Sequence, residues 1–198
     1  QAMLTGVVPY NKERFFDDWM AVKEKELASS LNKVGEIYRK LGDYEKAIAE
    51  FERTIAVEPN YNGGYMSLGY TLTSAGRPKE AIPLLKKSMR LSPLSQTHAS
   101  MCLYRLGRAY RTIGQYDEAL SALKEANRIR PKFELIYMEL AATYIHLGRE
   151  EEARAAADEL LKMDPKFSVE RLASFMAYKN PADQERYVEA LRKAGLPD

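Results

Sequence analysis

The chain has 198 residues, 45% of them hydrophobic and 29% charged, an ordinary globular composition with ample length for a continuous core. Thirty basic against 28 acidic side chains leave a net charge of +2, so no whole-molecule field draws it to nucleic acid or to an anionic membrane, and no apolar run is long enough for membrane insertion. Cys102 stands alone, which excludes an internal disulfide and a cysteine metal cage and fits a reducing, cytoplasmic setting.

Gln1-Ala2-Met3 reads as the remnant of a cleaved expression tag and is set aside. Asn11 is a candidate N-cap for a leader helix whose apolar stripe is Phe15, Trp19 and Val22, with Phe16 and Met20 beside it. Trp19 is expected to be buried against the next unit. From Leu31 a register recurs. Gly35, Gly69, Gly107 and Ala141 correspond, as do Gly42, Gly76, Gly114 and Gly148, then Ala47, Ala81, Ala119 and Ala153. Pro59, Pro93, Pro131 and Pro165 close the units, at steps of 34, 38 and 34 residues.

Leu103 to Pro131 is the clearest unit. Leu103, Leu106, Gly107 and Tyr110 share one helix face; after Gly114, Tyr116, Ala119, Leu120, Leu123 and Ala126 share another. Gly107 and Ala119 fall where two helices of a hairpin approach closely. One such hairpin cannot bury its own apolar face, so the units must stack.

This period and small-residue pattern resembles the tetratricopeptide (TPR) repeat. A helical bundle with a chance period is the competing reading. The resemblance covers about seven tenths of the chain, Ala28 to Phe167, and implies an all-α, right-handed superhelical solenoid of helix-turn-helix repeats. The expected division is tag remnant and leader helix over 1–27, repeats over 28–61, 62–99, 100–133 and 134–167, and a helical C-terminal cap over 168–198. Gly63-Gly64 weaken the start of repeat two, and four extra residues within Ser95 to Ala99 precede repeat three, with Thr97 a candidate N-cap. Repeat four carries Ala141 and Ala157 where the others have glycine and a large residue. Ser168 caps a helix expected over Val169–Tyr178, and Asn180-Pro181 starts a last helix ending at Gly195. Phe175, Met176, Tyr187, Val188 and Leu191 are candidates for covering the last repeat.

The tail, FSVERLASFMAYKNPADQERYVEALRKAGLPD, resembles the C-terminus of bacterial class III adenylate/guanylate cyclase-type proteins and related regulators, in which repeats follow a catalytic or DNA-binding domain. Lys179-Asn180-Pro181 departs slightly from the usual Lys-Asp-Pro. That resemblance implies a regulatory or scaffolding segment of a larger bacterial signalling protein. Nothing in the chain matches a cyclase catalytic domain.

Signs of catalysis or cofactor binding are lacking. Gly63-Gly64 has neither the spacing nor the Lys-Ser/Thr of a phosphate loop. His98 and His146 lack acid partners at metal-ligand or triad spacing. Cys102, near a helix start, is more readily explained as packing than as a reactive thiol. Glu150-Glu151-Glu152 suits the first turn of a helix. No enzyme activity, cofactor or metal is expected.

In TPR solenoids the first helices line a concave wall, and helix geometry then selects side chains turned roughly 80–160° from the core face. These are Asn32, Lys33, Glu36 and Arg39; Met66 and Tyr70; Met101, Tyr104, Arg108 and Arg111, flanked by Arg105; and Met138, with His146 alongside. The wall has a basic centre suited to a protein or peptide segment carrying Asp or Glu. The alternative is a solvated face whose arginines pair with Asp117, Glu118 or Glu139. Glu36 stands where chaperone-binding repeats need a carboxylate clamp and would repel a terminal carboxylate, so the clamp is rejected. The expected function is a non-catalytic protein-interaction module. The competing expectation is a regulatory or homodimerising region of an attached enzyme such as a nucleotide cyclase.

Overall fold

Each predicted hairpin turn carries a glycine because the first helix has to stop abruptly and reverse. Gly114 has φ +79°, a left-handed conformation that other residues adopt only with strain. The next amide, Gln115 N–H, reaches back to Tyr110 O at 2.9 Å, and Gly114 N–H donates to Arg111 O at 3.0 Å, which together satisfy the orphan carbonyls of the helix end. The same backward bond recurs as Asp43 to Tyr38, Arg77 to Leu72 and Arg149 to Tyr144.

A computed structural model describes residues 12–176 and 178–198; Gln1-Ala2-Met3 and the Asn11 cap lie outside them. Ten helices follow in order: α1 (Lys12–Lys40), α2 (Tyr44–Val57), α3 (Asn62–Ser74), α4 (Pro78–Leu91), α5 (Gln96–Thr112), α6 (Tyr116–Ile129), α7 (Glu134–His146), α8 (Glu150–Met163), α9 (Val169–Phe175) and α10 (Pro181–Lys193). Helices α1 to α8 form four antiparallel hairpins, each packed on the next. The first helices α1, α3, α5 and α7 also touch in succession and make one continuous wall. The result is an all-α solenoid.

Packing within each hairpin explains the recurring small residue. A Cβ on Gly107 would stand 2.5 Å from Leu123 Cγ, and one on Gly69 would stand 2.7 Å from Leu85 Cγ. Leu85 and Leu123 are fully buried, so the glycine is the socket for the large residue opposite. In the fourth hairpin both change together: Ala141 and Ala157 are buried in place of a glycine and a large residue.

Four expectations change. The leader is not a separate helix but the first half of α1, which runs through residue 28 without interruption. Trp19 is 48% exposed rather than buried; among the described side chains of α1, burial begins only at Ala28. The cap of α5 is Ser95, whose hydroxyl accepts from His98 N–H at 3.3 Å; Thr97 already lies inside the helix. Helix α9 stops at Phe175, which is 80% exposed. Tyr187, Val188 and Leu191 are buried against the last repeat, with Met176 packed beside them. Ser168 and Asn180 cap α9 and α10 as expected, accepting from Arg171 N–H and Ala182 N–H.

Candidate protein-binding groove

Tyr70 on α3 is the centre of the concave wall. Three guanidinium groups lie over or beside its ring: Arg39 from α1 at 4.8 Å, and Arg105 and Arg108 from α5 at 4.6 and 5.1 Å. Arg108 also donates to the Tyr70 hydroxyl at 3.1 Å. Surrounded in this way, chiefly by Arg108, the Tyr70 phenol is held below its usual range. Arg105 donates to Met66 O at 3.0 Å.

The arginines differ in compensation. Arg39 binds Glu36, whose carboxylate also accepts from Ser67 at 2.9 Å; burial would raise the Glu36 carboxyl, but Arg39 and Ser67 together hold it below its ordinary value. Arg111 is buried and paired with the equally buried Glu139 at 2.7 Å. Burial opposes the Arg111 charge, yet Glu139, Tyr178 and Tyr187 outweigh it and raise its guanidinium above the usual value. Its guanidinium lies 4.1 Å from the Tyr187 ring. Arg105 and Arg108 have no carboxylate within ion-pair distance among the described residues, and the Nε of each is buried without a hydrogen-bond partner. Burial lowers Arg105 below its normal value.

The C-terminal segment crosses this wall. Arg111 donates to the Tyr178 hydroxyl at 3.4 Å, and the Tyr178 ring lies 4.7 Å from the Arg108 guanidinium. Lys179 N–H donates to Ser74 O at 3.0 Å, and its ammonium reaches Glu45 on α2 at 2.8 Å. Beneath the segment is a cavity of about 290 Å³, with Arg39, Tyr44, Tyr70, Tyr104, Arg108, Glu139 and Tyr187 among its lining residues.

Of the residues expected on the wall, Arg39, Tyr70, Arg105, Arg108 and Arg111 converge as a group, with Glu36 beside them. Arg108 and Arg111 are buried at 6% and 5% exposure, not solvated, because α10 and the segment before it cover them. Tyr104 and Met138 are buried core residues that also line the cavity; Tyr104 meets the Phe133 ring edge-on at 5.8 Å. Met66 and Met101 are partly buried, and Asn32 keeps a buried Oδ1 without a partner. Lys33 is exposed at the edge of this face. His146 is not among the groups around Tyr70; its ring stacks on Tyr116 at 4.9 Å, with the Arg111 and Glu139 charges acting on it. Of the three carboxylates weighed as partners for these arginines, Glu139 is the one that pairs, with Arg111. Ser67, which shares the wall face of α3 with Met66 and Tyr70, meets Glu36 there. Tyr44 and Tyr178 were not anticipated; nothing in the repeat register signals that the tail returns here. No group of His, Cys, Asp or Glu is arranged to hold a metal, and no helix is long and apolar enough to cross a membrane, among the described residues.

Burial, with Arg111 and Arg186 nearby, pushes the His146 imidazole down to about 4. The unfolded chain takes up this proton near pH 6.5, so the neutral ring's contribution is complete above 6.5 and is lost as pH falls towards 4. Arg111 from α5, Tyr116 from α6, Glu139 from α7, and Arg186 and Lys193 from α10 surround the ring or act on it. Unfolding free energies at pH 7 and pH 5 should fall more for the parent chain than for His146→Gln, by up to about 1.4 kcal/mol per pH unit before allowance for partial exposure. Equal losses would remove His146 from the acid response.

Stacked helical hairpins with a lined concave wall define a repeat solenoid of the protein-interaction class. Tetratricopeptide repeat models match residues 26–93, 60–132 and 113–177, and the chain belongs to the tetratricopeptide repeat family. It is similar to human Protein O-mannosyl-transferase TMTC1, at 26% identity over 129 residues, 64% of this chain and 14% of that protein. It is also similar to Small glutamine-rich tetratricopeptide repeat-containing protein 2 of Saccharomyces cerevisiae, 32% identical over 59 residues, 30% of this chain and 17% of that one. The chain thus spans less than a fifth of either relative. Among solved structures, MamA aligns with TM-score 0.60 at 26% identity over 85% of this chain and 90% of its own. PilW, a type IV pilus biogenesis factor, aligns with TM-score 0.68 at 19% identity, over 90% and 79% of the two chains, a likeness of fold alone.

Proposed function

We propose that the chain is a non-catalytic interaction module that takes an acidic segment of a partner protein in its concave groove, with an Asp or Glu side chain entering beside Arg105 and Arg108. The observation that carries this reading is the pair of guanidinium groups set over Tyr70 without a carboxylate partner. The cost of burial without a counterion falls on Arg105, whose guanidinium is lowered, whereas at Arg108 burial is outweighed by Tyr178, Tyr70, Tyr104 and Glu139. A carboxylate entering beside the pair would relieve the cost at Arg105 while gaining charge-assisted hydrogen bonds from both. The cavity of about 290 Å³ is of the size of a side chain or two rather than a folded surface. Glu36 and Glu139 are already engaged, so the net charge facing a ligand is positive.

Selection of peptides from a random display library should enrich Asp and Glu. Arg105→Gln should weaken a selected peptide about tenfold, the value of one hydrogen bond to a charged group, with a melting temperature no lower than the parent's, since the variant also removes an uncompensated charge. Enrichment of neutral or basic peptides sinks the proposal, as does unchanged affinity in Arg105→Gln.

A second reading is that the repeats regulate an attached enzyme, such as a nucleotide cyclase in the bacterial cytoplasm, by intramolecular docking. The docking of Tyr178 and Lys179 on the wall favours it, since part of the groove already accepts the chain's own segment. A parent reading frame without a catalytic domain ends this alternative.

A further inference from the structure

Helix α1 has 29 residues, about twice the length of the second helix it pairs with, and its outer face is uncovered. Phe16, Met20, Leu27, Val34, Ile37 and Leu41 lie along that face; Phe16 is 58%, Ile37 57% and Leu41 74% exposed. With Lys23 and Ser30 filling the two gaps, the spacing alternates four and three residues from end to end, which is the heptad spacing of a coiled-coil seam. In later repeats the positions equivalent to Val34 and Ile37 are buried against the preceding hairpin: Leu68, Leu106 and Leu140 for one, Thr71, Ala109 and Thr143 for the other. A hairpin adjoining this face in the same way would enter α1 through a turn just before residue 28. The helix passes straight through that point.

We infer that this face is covered by α1 of a second copy of the chain, packed antiparallel as a two-stranded coiled coil. The charges beside the seam select both the occupant and its direction. Glu26 and Lys33 flank the same edge of the stripe. With Phe16 set opposite Leu41 of the partner subunit and Leu27 opposite Ser30 of the partner subunit, Glu26 comes beside Lys33 of the partner subunit, and symmetry repeats the pair. Trp19 comes beside Lys40 of the partner subunit at each end. In a parallel pair the two copies of Lys23 would meet within the seam. Antiparallel packing sets Lys23 against Val34 of the partner subunit, and Glu26, now 2.8 Å from the Lys23 ammonium, neutralises it. The inference does not depend on what the groove binds.

Light scattering on the eluting 198-residue chain should give twice the 22.6 kDa monomer mass. Leu27→Glu with Ile37→Glu should give a monomer of unchanged helicity. Glu26→Lys and Lys33→Glu should each weaken the dimer, and mixing the two variants should restore it, because both edges then become complementary. In a Cys102→Ser background, oxidation of Lys23→Cys mixed with Val34→Cys should link the two variants to each other. A monomeric parent chain, an assembly larger than two, or a dimer indifferent to Leu27→Glu with Ile37→Glu overturns the inference. Each cysteine variant linking mainly to itself overturns the antiparallel direction.

Discussion

Replacing Glu139 with alanine is expected to lower the unfolding free energy by about 3–5 kcal/mol, because it leaves Arg111 charged, buried and without its counterion. The two side chains are each only 3% exposed, so water cannot take the place of the lost carboxylate without opening the contact between α5, α7 and α10. Tyr187 and Tyr178 beside the guanidinium supply a ring face and a hydroxyl, which do not balance a full charge. The apolar replacement Arg111→Met with Glu139→Leu should recover most of the loss, since it removes both desolvated charges together. Urea titration of the two variants measures this. A cost below about 1 kcal/mol for Glu139→Ala would place the pair in the class of solvated ion pairs and contradict its burial. Stripping Arg105, Arg108 and Arg111 together would therefore not test the groove. Arg111 belongs to the fold, and its loss would be mistaken for a loss of binding.

Ending the chain after Phe167 is expected to unfold the fourth hairpin while sparing the first two. The deleted part includes Val169, Tyr187 and Leu191, each almost wholly buried. At about 1.5–3 kcal/mol per buried apolar side chain, this loss approaches the net stability of a whole domain. It would also expose Leu160, which lies beside Ser168 and Leu172, and the Arg111–Glu139 pair, which Tyr178 and Tyr187 cover. Solenoid hairpins are stabilised mainly by their nearest neighbours, so the damage should decay along the stack. Amide hydrogen exchange should show protection lost in α7 and α8 and kept in α2 to α4. Full protection in α7 of the shortened chain would mean that α9 and α10 are an appendage rather than a cap.

The hairpins were legible because their determinants are local. Gly42, Gly76, Gly114 and Gly148 each end a first helix at left-handed φ, and the pairing of Gly107 with Leu123, or of Ala141 with Ala157, involves residues 16 apart. The proper cap of α5 was missed because Ser95 and Thr97 both suit the role, and only backbone geometry chooses between them. Trp19 was misplaced for a related reason. An apolar stripe says that a helix face requires cover, and it does not say what provides that cover.

By itself the sequence determined the number of repeats and the helical hairpin as their unit, since both follow from spacing within some 34 residues; the choice of the first helices as the wall came with the resemblance to the tetratricopeptide repeat. Only the tertiary structure decided the condition of the wall. Arg111 meets Tyr178 across 67 residues, and Glu45 meets Lys179 across 134. No periodicity encodes such distant contacts, because they depend on the path by which the tail returns over the stack. That return buries Arg108 and Arg111, while Arg105 and Arg108 stand over Tyr70 without a carboxylate of their own.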